Sequence, residues 1–437
     1  MSARYRECHT AEADIGMSFY ISDTDGTGGR IKKEPEDFIV DEISDRPEHS
    51  AGGRFVIAEV TSRNWETNRL VRLLSRNIGM SREKVGFAGT KDKRAVTTQL
   101  MSFECGMDSL LNVNLKDVEI KNPYTAKRGI QIGDLIGNSF RIRVTECDAD
   151  KDTVSDILDA VSSAVKENKG FPNYFGVQRF GVVRPITHKV GELIVRGDLE
   201  GAVRCYVSDP SSFEDEATAA VRRSLSENSD WSGRLLDGMP ESLSFEKLMV
   251  GHIVSHPGDW RGAIGELPKN LQMMFVHAYQ SYLFNRMLSG RMRRGLPLDR
   301  PVVGDVVIPL DSDRVPQHDN PIVTVPGNID LVSRQVGSGR ALITISLFGS
   351  ESRTTEGEMG EIERSVIGEE GISESDFIVP GLPHCSSKGS RREILCPVSD
   401  LTHAVSDDGY EVSFSLSKGN YATCLMREYM KSEMNRY

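Results

Sequence analysis

Residues 85–99 read VGFAGTKDKRAVTTQ. One acid, Asp92, sits in a tight Gly-Thr-Lys loop with Lys91, Lys93 and Arg94 around it. Opposite charges a few ångströms away favour the ionised form of a carboxylate. An acid ringed by bases therefore suits work beside a polyanion. Gly-Thr-Lys-Asp is also ordinary turn chemistry, so the loop takes its meaning from what flanks it.

Upstream, Asn64–Ile78 predicts a helix, with Asn64 as its cap, Glu66 in the first turn and Gly79 as its stop. Val71, Leu74 and Ile78 fall at helical spacing for a buried stripe, while Arg69, Arg72 and Arg76 share a different face. A charged stripe is usually just solvated. Here the helix leads into the Asp92 loop, so its arginines are candidates for tracking a phosphate backbone. Arg30–Ile43, centred on Phe38 and Val40, and Phe55–Val60 predict strands. Residues 1–29 read as a loose lead. Its Gly26-Thr27-Gly28-Gly29 reads as a turn, because it lacks the Gly-Lys-Ser/Thr ending of a phosphate-binding loop.

Downstream, Asn138–Val144 alternates strictly, with Phe140, Ile142 and Val144 on one face and Arg141 and Arg143 on the other, as in a half-exposed strand. Asp152–Asn168 predicts a core-packing helix. FPNYFGVQRFG (Phe171–Gly181) is dense in aromatics, with one Arg and no acid. Further on, Leu271–Leu288 predicts a helix with an apolar band of Leu271, Met274, Phe275, Ala278, Tyr282 and Leu283. Residues 301–348 predict short strands. Glu351–Ser375, acidic and Gly-rich, predicts an exposed loop. Val412, Phe414 and Leu416 alternate as a strand, and Tyr421–Met434 predicts a closing helix.

At 437 residues the chain is too long for one ordinary core. With 38% hydrophobic and 27% charged residues it has a soluble globular composition. No apolar run approaches the roughly 20 residues that span a bilayer, and the start, MSARYRECHTAEADIG, has no apolar core of a secretory signal. Seven scattered cysteines without a C-x-x-C pair fit free thiols in a cytoplasmic setting. The net charge of −11 hides a division. Residues 60–145 carry 15 Lys/Arg against 8 Asp/Glu, and residues 186–384 carry 19 against 29. The segment around Asp92 is thus basic and the middle of the chain acidic. Local charge, not the sum, decides where phosphates dock.

Metal and triad chemistry have little support. His252 and His256 lie four apart without a Glu after His252, and the spacings of His384, Cys385, Cys396 and His403 match no common zinc pattern. No Gly-x-Ser-x-Gly elbow occurs. What remains is carboxylate chemistry beside basic and aromatic groups. Arg69, Arg72, Arg76, Lys91, Lys127, Arg128 and Arg179 offer charge for phosphates, and Phe38, Phe140, Tyr174 and Phe175 offer flat faces for bases. Each aromatic taken alone is more often core.

Five motifs occur in one order: Lys32-x-x-Pro35-Glu36-Asp37-Phe38; Gly89-Thr90-Lys91-Asp92-Lys93-x-Ala95; Gly137-Asn138-Ser139-Phe140; Pro172-Asn173-Tyr174-Phe175-Gly176-x-Gln178-Arg179-Phe180-Gly181; and Gly419-Asn420-Tyr421-Ala422-Thr423 followed by Arg427-Glu428. Together they resemble the TruD family of pseudouridine synthases. HAYQSYLFN (His277–Asn285) resembles the family as well. The resemblance implies an α+β chain: a pseudouridine synthase catalytic fold, with a mixed, mainly antiparallel sheet flanked by helices, over residues 1–185 and 385–437, and an inserted α+β domain over 186–384. It implies isomerisation of uridine to pseudouridine in tRNA, usually at uridine 13, in the cytoplasm. No metal or organic cofactor is implied. Without a membrane-spanning run or a sequence mark of a dimer interface, no membrane and no obligatory protein partner are expected, and a monomer is. By the same match Asp92 is the catalytic aspartate, and Lys32, Phe38, Asn138 and Phe140 line the active site. Lys91 and Arg179 are expected to bind substrate. Arg69, Arg72, Arg76, Lys127 and Arg128 are expected to meet the RNA backbone. The main competing reading is a tRNA-binding or folding protein without catalysis. A base-releasing N-glycosidase would share the carboxylate and the flipped base.

Overall fold

The computed structural model describes residues 5–8, 11–228, 231, 233–311 and 315–437. Its contacts divide the chain into two compact units: residues 24–171, 396–432 and 436–437 form one, and residues up to 23, 172–395 and 433–435 the other.

The first unit is built on a nine-stranded sheet. Along its main path the order is Ser399–Ser406, Gly409–Ser417, Leu135–Cys147, Phe38–Ser44, Val96–Phe103, Phe55–Arg63 and Val118–Ala126. All neighbours on this path are antiparallel except Phe38–Ser44 beside Val96–Phe103, which run parallel with Ile39 opposite Val96. Gly28–Arg30 pairs with the 135–147 strand, and Val85–Phe87 with the 96–103 strand. The single parallel pairing positions the site. It places the start of the Phe38 strand, which follows Lys32, beside the start of the Val96 strand, which follows Asp92.

Alternation then assigns faces. Phe38, Val40, Phe140, Ile142, Val144, Val412, Phe414 and Leu416 are all buried. Val56, Ala58 and Val60 face the helix Thr67–Ile78 through Leu70, Val71 and Leu74. Ile57 faces the other way, into a small core with Ala88, Leu100, Ala126 and Ile130. At roughly 1.5–3 kcal/mol per fully buried large aliphatic or aromatic side chain, these faces supply most of what holds the sheet to its helices. The helices Lys151–Glu167 and Ala422–Met430 meet through the Ser162 and Tyr429 hydroxyls at 2.9 Å.

Several expectations need correction here. The first helix begins at Thr67, and Glu66 caps it by accepting from the N–H groups of Asn68 and Arg69. Asn64 instead takes a left-handed turn at φ 60°. Gly28 and Gly29 lie in or beside ladder pairing rather than in a free turn. A Cβ on Gly29 would stand 2.6 Å from Val144 Cγ1, so glycine serves close approach there.

The second unit is mostly helical. It includes the helices Thr187–Val195, Leu199–Ser208, Glu216–Glu227 and Ser244–Ser255, and a four-stranded antiparallel sheet in the order Ile322–Val323, Val306–Pro309, Ala341–Leu347, Ser390–Glu393. Its centre is the helix Lys269–Arg293, buried on most sides rather than along one band; Met274 is exposed. Arg291 and Asp305 form a fully buried two-point pair at 2.6 and 2.9 Å. The early residues are not a loose lead. Arg6–Glu7 pairs with Phe19–Tyr20, and Tyr5, Cys8, Ile15, Met17 and Phe19 are buried. Their apolar spacing is irregular because turns, not a continuous strand or helix, present them. The region 351–375 is not a loop throughout: Gly357–Glu370 is helical, because Met359, Ile362 and Val366 make a buried stripe within an otherwise acidic sequence. Within 301–348, Ile329–Gly337 is also a helix.

Candidate active site

The loop from Ala88 to Ala95 leaves the Val85–Phe87 strand and re-enters the sheet at Val96. Three tethers fix it. The Lys91 N–H donates to Thr67 Oγ1 at 2.9 Å, at the start of the first helix. The Asn64 N–H donates to the Ala95 carbonyl at 2.9 Å. The Arg94 guanidinium donates to the Lys33 carbonyl at 2.9 Å.

So held, Asp92 stays half exposed, at 51% for its side chain, and Lys32 Nζ lies 3.5 Å from its Oδ1. The Lys32 ammonium also sits 4.1 Å from the centre of the Phe38 ring, a cation–π contact. Lys32 reaches this position from a left-handed backbone, φ 57°. Beneath it Phe38 meets Phe140 edge-on at 6.1 Å, and Phe140 stacks on Phe414 at 5.3 Å. One step along the strand pair, Glu42 lies directly opposite Asn138. The Asn138 Oδ1 is buried and has no hydrogen-bond partner among the described residues. The arrangement is an open carboxylate, a cation that holds it, and an aromatic floor with a carboxamide beside it. No group of three or more His, Cys, Asp or Glu converges as a metal site among the described residues. His252 is instead held by Asp259 at 2.9 Å and Glu266 at 3.1 Å, which together raise its pKa. No helix among the described residues is long and apolar enough to cross a membrane.

The model of the family tRNA pseudouridine synthase D (TruD) matches residues 14–429. The chain belongs to the TruD family. A relative from Methanococcoides burtonii, named as tRNA pseudouridine synthase D, is 43% identical over 430 residues, covering 97% of both chains. One from Halobacterium salinarum with the same name is 39% identical over 98% of both. A crystal structure from Methanosarcina mazei, described as tRNA pseudouridine synthase D, matches with a TM-score of 0.88 at 37% identity, covering 97% of this chain and 98% of that one. The family is one of isomerases that act on tRNA, and the mixed α+β architecture is the family's own.

In this TruD-family chain, the residues expected to act together are only partly brought together. Lys32, Asp92, Phe38 and Phe140 are linked by direct contacts, and Asn138 lies two residues along the strand from Phe140; Phe38 and Phe140 are 1% and 7% exposed and form the floor rather than free faces. Arg69, Arg72 and Arg76 are exposed along one helix and make no ion pair among the described residues. Lys127 is exposed, whereas Arg128 is already bound to Asp45 at 2.7 Å and Asp134 at 2.6 Å. Arg179 belongs to the other unit, where its Nε donates to Ser281 Oγ at 3.2 Å. Tyr174 and Phe175, offered as stacking faces, are core there. The Tyr174 hydroxyl meets Ser289 Oγ at 2.9 Å, and the Phe175 N–H donates to Asn285 Oδ1 at 2.9 Å.

Lys91 departs most from expectation. Its ammonium turns inward and meets Glu42 Oε2 at 2.5 Å, with side chains 5% and 1% exposed. Glu42, Gln99, Thr67 and Phe414 were not singled out from sequence as site neighbours. Glu42 had a visible signal: it follows Phe38 and Val40 at period two, which places a carboxylate on the buried face of a strand.

Proposed function

We propose that this chain converts uridine to pseudouridine in tRNA, at uridine 13, with Asp92 as its catalytic group. The observation that carries this is the half-exposed Asp92 carboxylate, 3.5 Å from Lys32, above the Phe38–Phe140–Phe414 floor. The reaction breaks the N1–C1′ bond, turns the uracil and joins C5 to C1′. The C5 proton leaves and N1 gains one, so the balance needs no oxidant and no hydride donor. These atoms are hidden in a stacked nucleotide, so the uridine is flipped out at a cost of about a few kcal/mol.

Asp92 has three routes open to it: attack on C1′, attack on the uracil ring, or removal of the 2′ proton. All three use the ionised carboxylate that Lys32 attends. Asn138 and Phe140 border the base, and Arg179 contributes to RNA binding. The first unit is the catalytic domain, and the acidic region of the second is the family's insertion. Arg69, Arg72, Arg76 and Lys127 supply phosphate contacts. The enzyme acts in the cytoplasm and needs no protein partner.

The test is to incubate the protein, without added metal, with unmodified tRNA transcripts and to map pseudouridine by carbodiimide adducts and reverse transcription. A single modified site at uridine 13, absent with Asp92→Ala, is the expected result. Binding without any isomer would favour the non-catalytic reading, and an abasic site the glycosidase.

A further inference from the structure

Glu42 and Lys91 lie beside the site but face away from solvent. Their side chains are 1% and 5% exposed, and Nζ stands 2.5 Å from Oε2. The other oxygen of Glu42 accepts from the Ser44 hydroxyl at 2.5 Å and from the Leu100 N–H at 3.3 Å. A buried ion pair adds little stability over apolar residues of the same volume, because desolvation offsets the attraction. Stability is therefore a weak reason for a pair at this position.

Position offers a stronger reason. Lys91 is bonded directly to Asp92, and its own N–H is held by Thr67 Oγ1 at 2.9 Å. Lys91 points into the sheet while Asp92 stays half exposed. Glu42 lies directly opposite Asn138, and the parallel register that pairs Asp41 with Thr98 brings Gln99 alongside it. The pair thus ties the loop to the strand that also carries Phe38.

We propose that Glu42 and Lys91 are positioning residues. Their buried pair fixes the loop so that the Asp92 carboxylate is presented at one geometry, and Lys91 itself does not touch RNA. This rests on Asp92 being the catalytic group.

The test compares wild type, Asp92→Ala, Lys91→Met, Lys91→Arg and the neutral double variant Glu42→Gln/Lys91→Met. Dissociation constants for tRNA and single-turnover rates at saturating enzyme are measured below each variant's melting midpoint. Lys91→Met is expected to slow the chemical step about 100-fold, the scale of a misplacement near 1 Å, with tRNA affinity within about twofold of wild type. Lys91→Arg, which keeps the charge, is expected to recover most of the rate. Should Lys91→Met not fold, the double variant, which leaves no unpaired buried charge, carries the same expectation. Weakened affinity with an unchanged saturated rate would mean that Lys91 grips RNA and would overturn the proposal. A wild-type rate in a folded variant would also overturn it. If Asp92→Ala is inactive while Lys91→Met is fully active, only the positioning role falls. If Asp92→Ala turns over normally, the catalytic reading falls and takes this one with it.

Discussion

Neighbouring residues in one loop make two ion pairs of opposite kind. Asp92 meets Lys32 at 3.5 Å with its side chain half exposed, and Lys91 meets Glu42 at 2.5 Å with both side chains almost fully buried. The outer pair opens to water on its Asp92 side, Lys32 being only 15% exposed, so its attraction is partly screened and is worth about 1 kcal/mol to stability. The inner pair is insulated, so losing one partner strands a charge away from water. The outer pair can be exchanged for contacts with a substrate at little cost. The inner pair cannot, so one residue of the loop is free to change partners while its neighbour is not.

The largest effect that could break this comparison is on stability. Glu42→Ala is expected to lower unfolding stability by about 3–5 kcal/mol, because Lys91 is left charged and unpaired. Lys32→Ala is expected to change it by about 1 kcal/mol or less. Denaturant melts of the two variants side by side check this; equal losses would erase the distinction.

A buried titratable group in the second unit extends the comparison to pH. His188 is enclosed, edge-on to Phe180 at 5.4 Å and stacked on Tyr282 at 5.0 Å, and burial, reinforced by Lys189, pushes its pKa down to about 3. The unfolded chain takes up a proton near pH 6.5, whereas the folded chain does not until about pH 3. Its contribution is therefore intact above pH 6.5 and is lost as pH falls from there toward 3. Between pH 7 and pH 4.5 the loss should reach about 2–3 kcal/mol. His188→Leu should flatten that part of the stability–pH curve, and an unchanged slope would show that His188 takes a proton while folded.

The smallest effects belong to exposed charge. Replacing Arg69, Arg72 and Arg76 together by Gln should leave the melting midpoint within a few degrees. It should weaken tRNA binding and reduce the salt slope of log K by about 2 to 3, at roughly 0.7–0.9 for each phosphate no longer neutralised. The same change at Arg128, already engaged by Asp45 and Asp134, should have a much smaller effect on that slope. Filter binding over a salt series distinguishes the two.

Sequence reading reached those parts of the molecule where local chemistry and tertiary structure agree. The alternation of Phe140, Ile142 and Val144, and the Gly79 stop of the first helix, are both visible in one segment and both hold. It failed where burial depends on distant partners. Gly357–Glu370 looks like an exposed acidic loop until Ile362 is seen packed at Gly290 of the long helix. Residues 5–21 look loose until Ser289 is found accepting from the Ser18 N–H and donating to the Gly16 carbonyl. At the site, Lys32 and Asp92 belong to separate family motifs, and their meeting depends on the one parallel strand pair. Lys91 turns inward against expectation because a lysine in a basic loop gives no local sign of a buried acid about fifty residues earlier in the chain.

The most direct test of the account is tritium release from tRNA carrying [5-³H]uridine, since joining C5 to C1′ expels the C5 hydrogen. With saturating enzyme, wild type should release about one equivalent per tRNA, and Asp92→Ala should bind the same tRNA with similar affinity and release none. Release by Asp92→Ala at a rate near wild type would contradict the account.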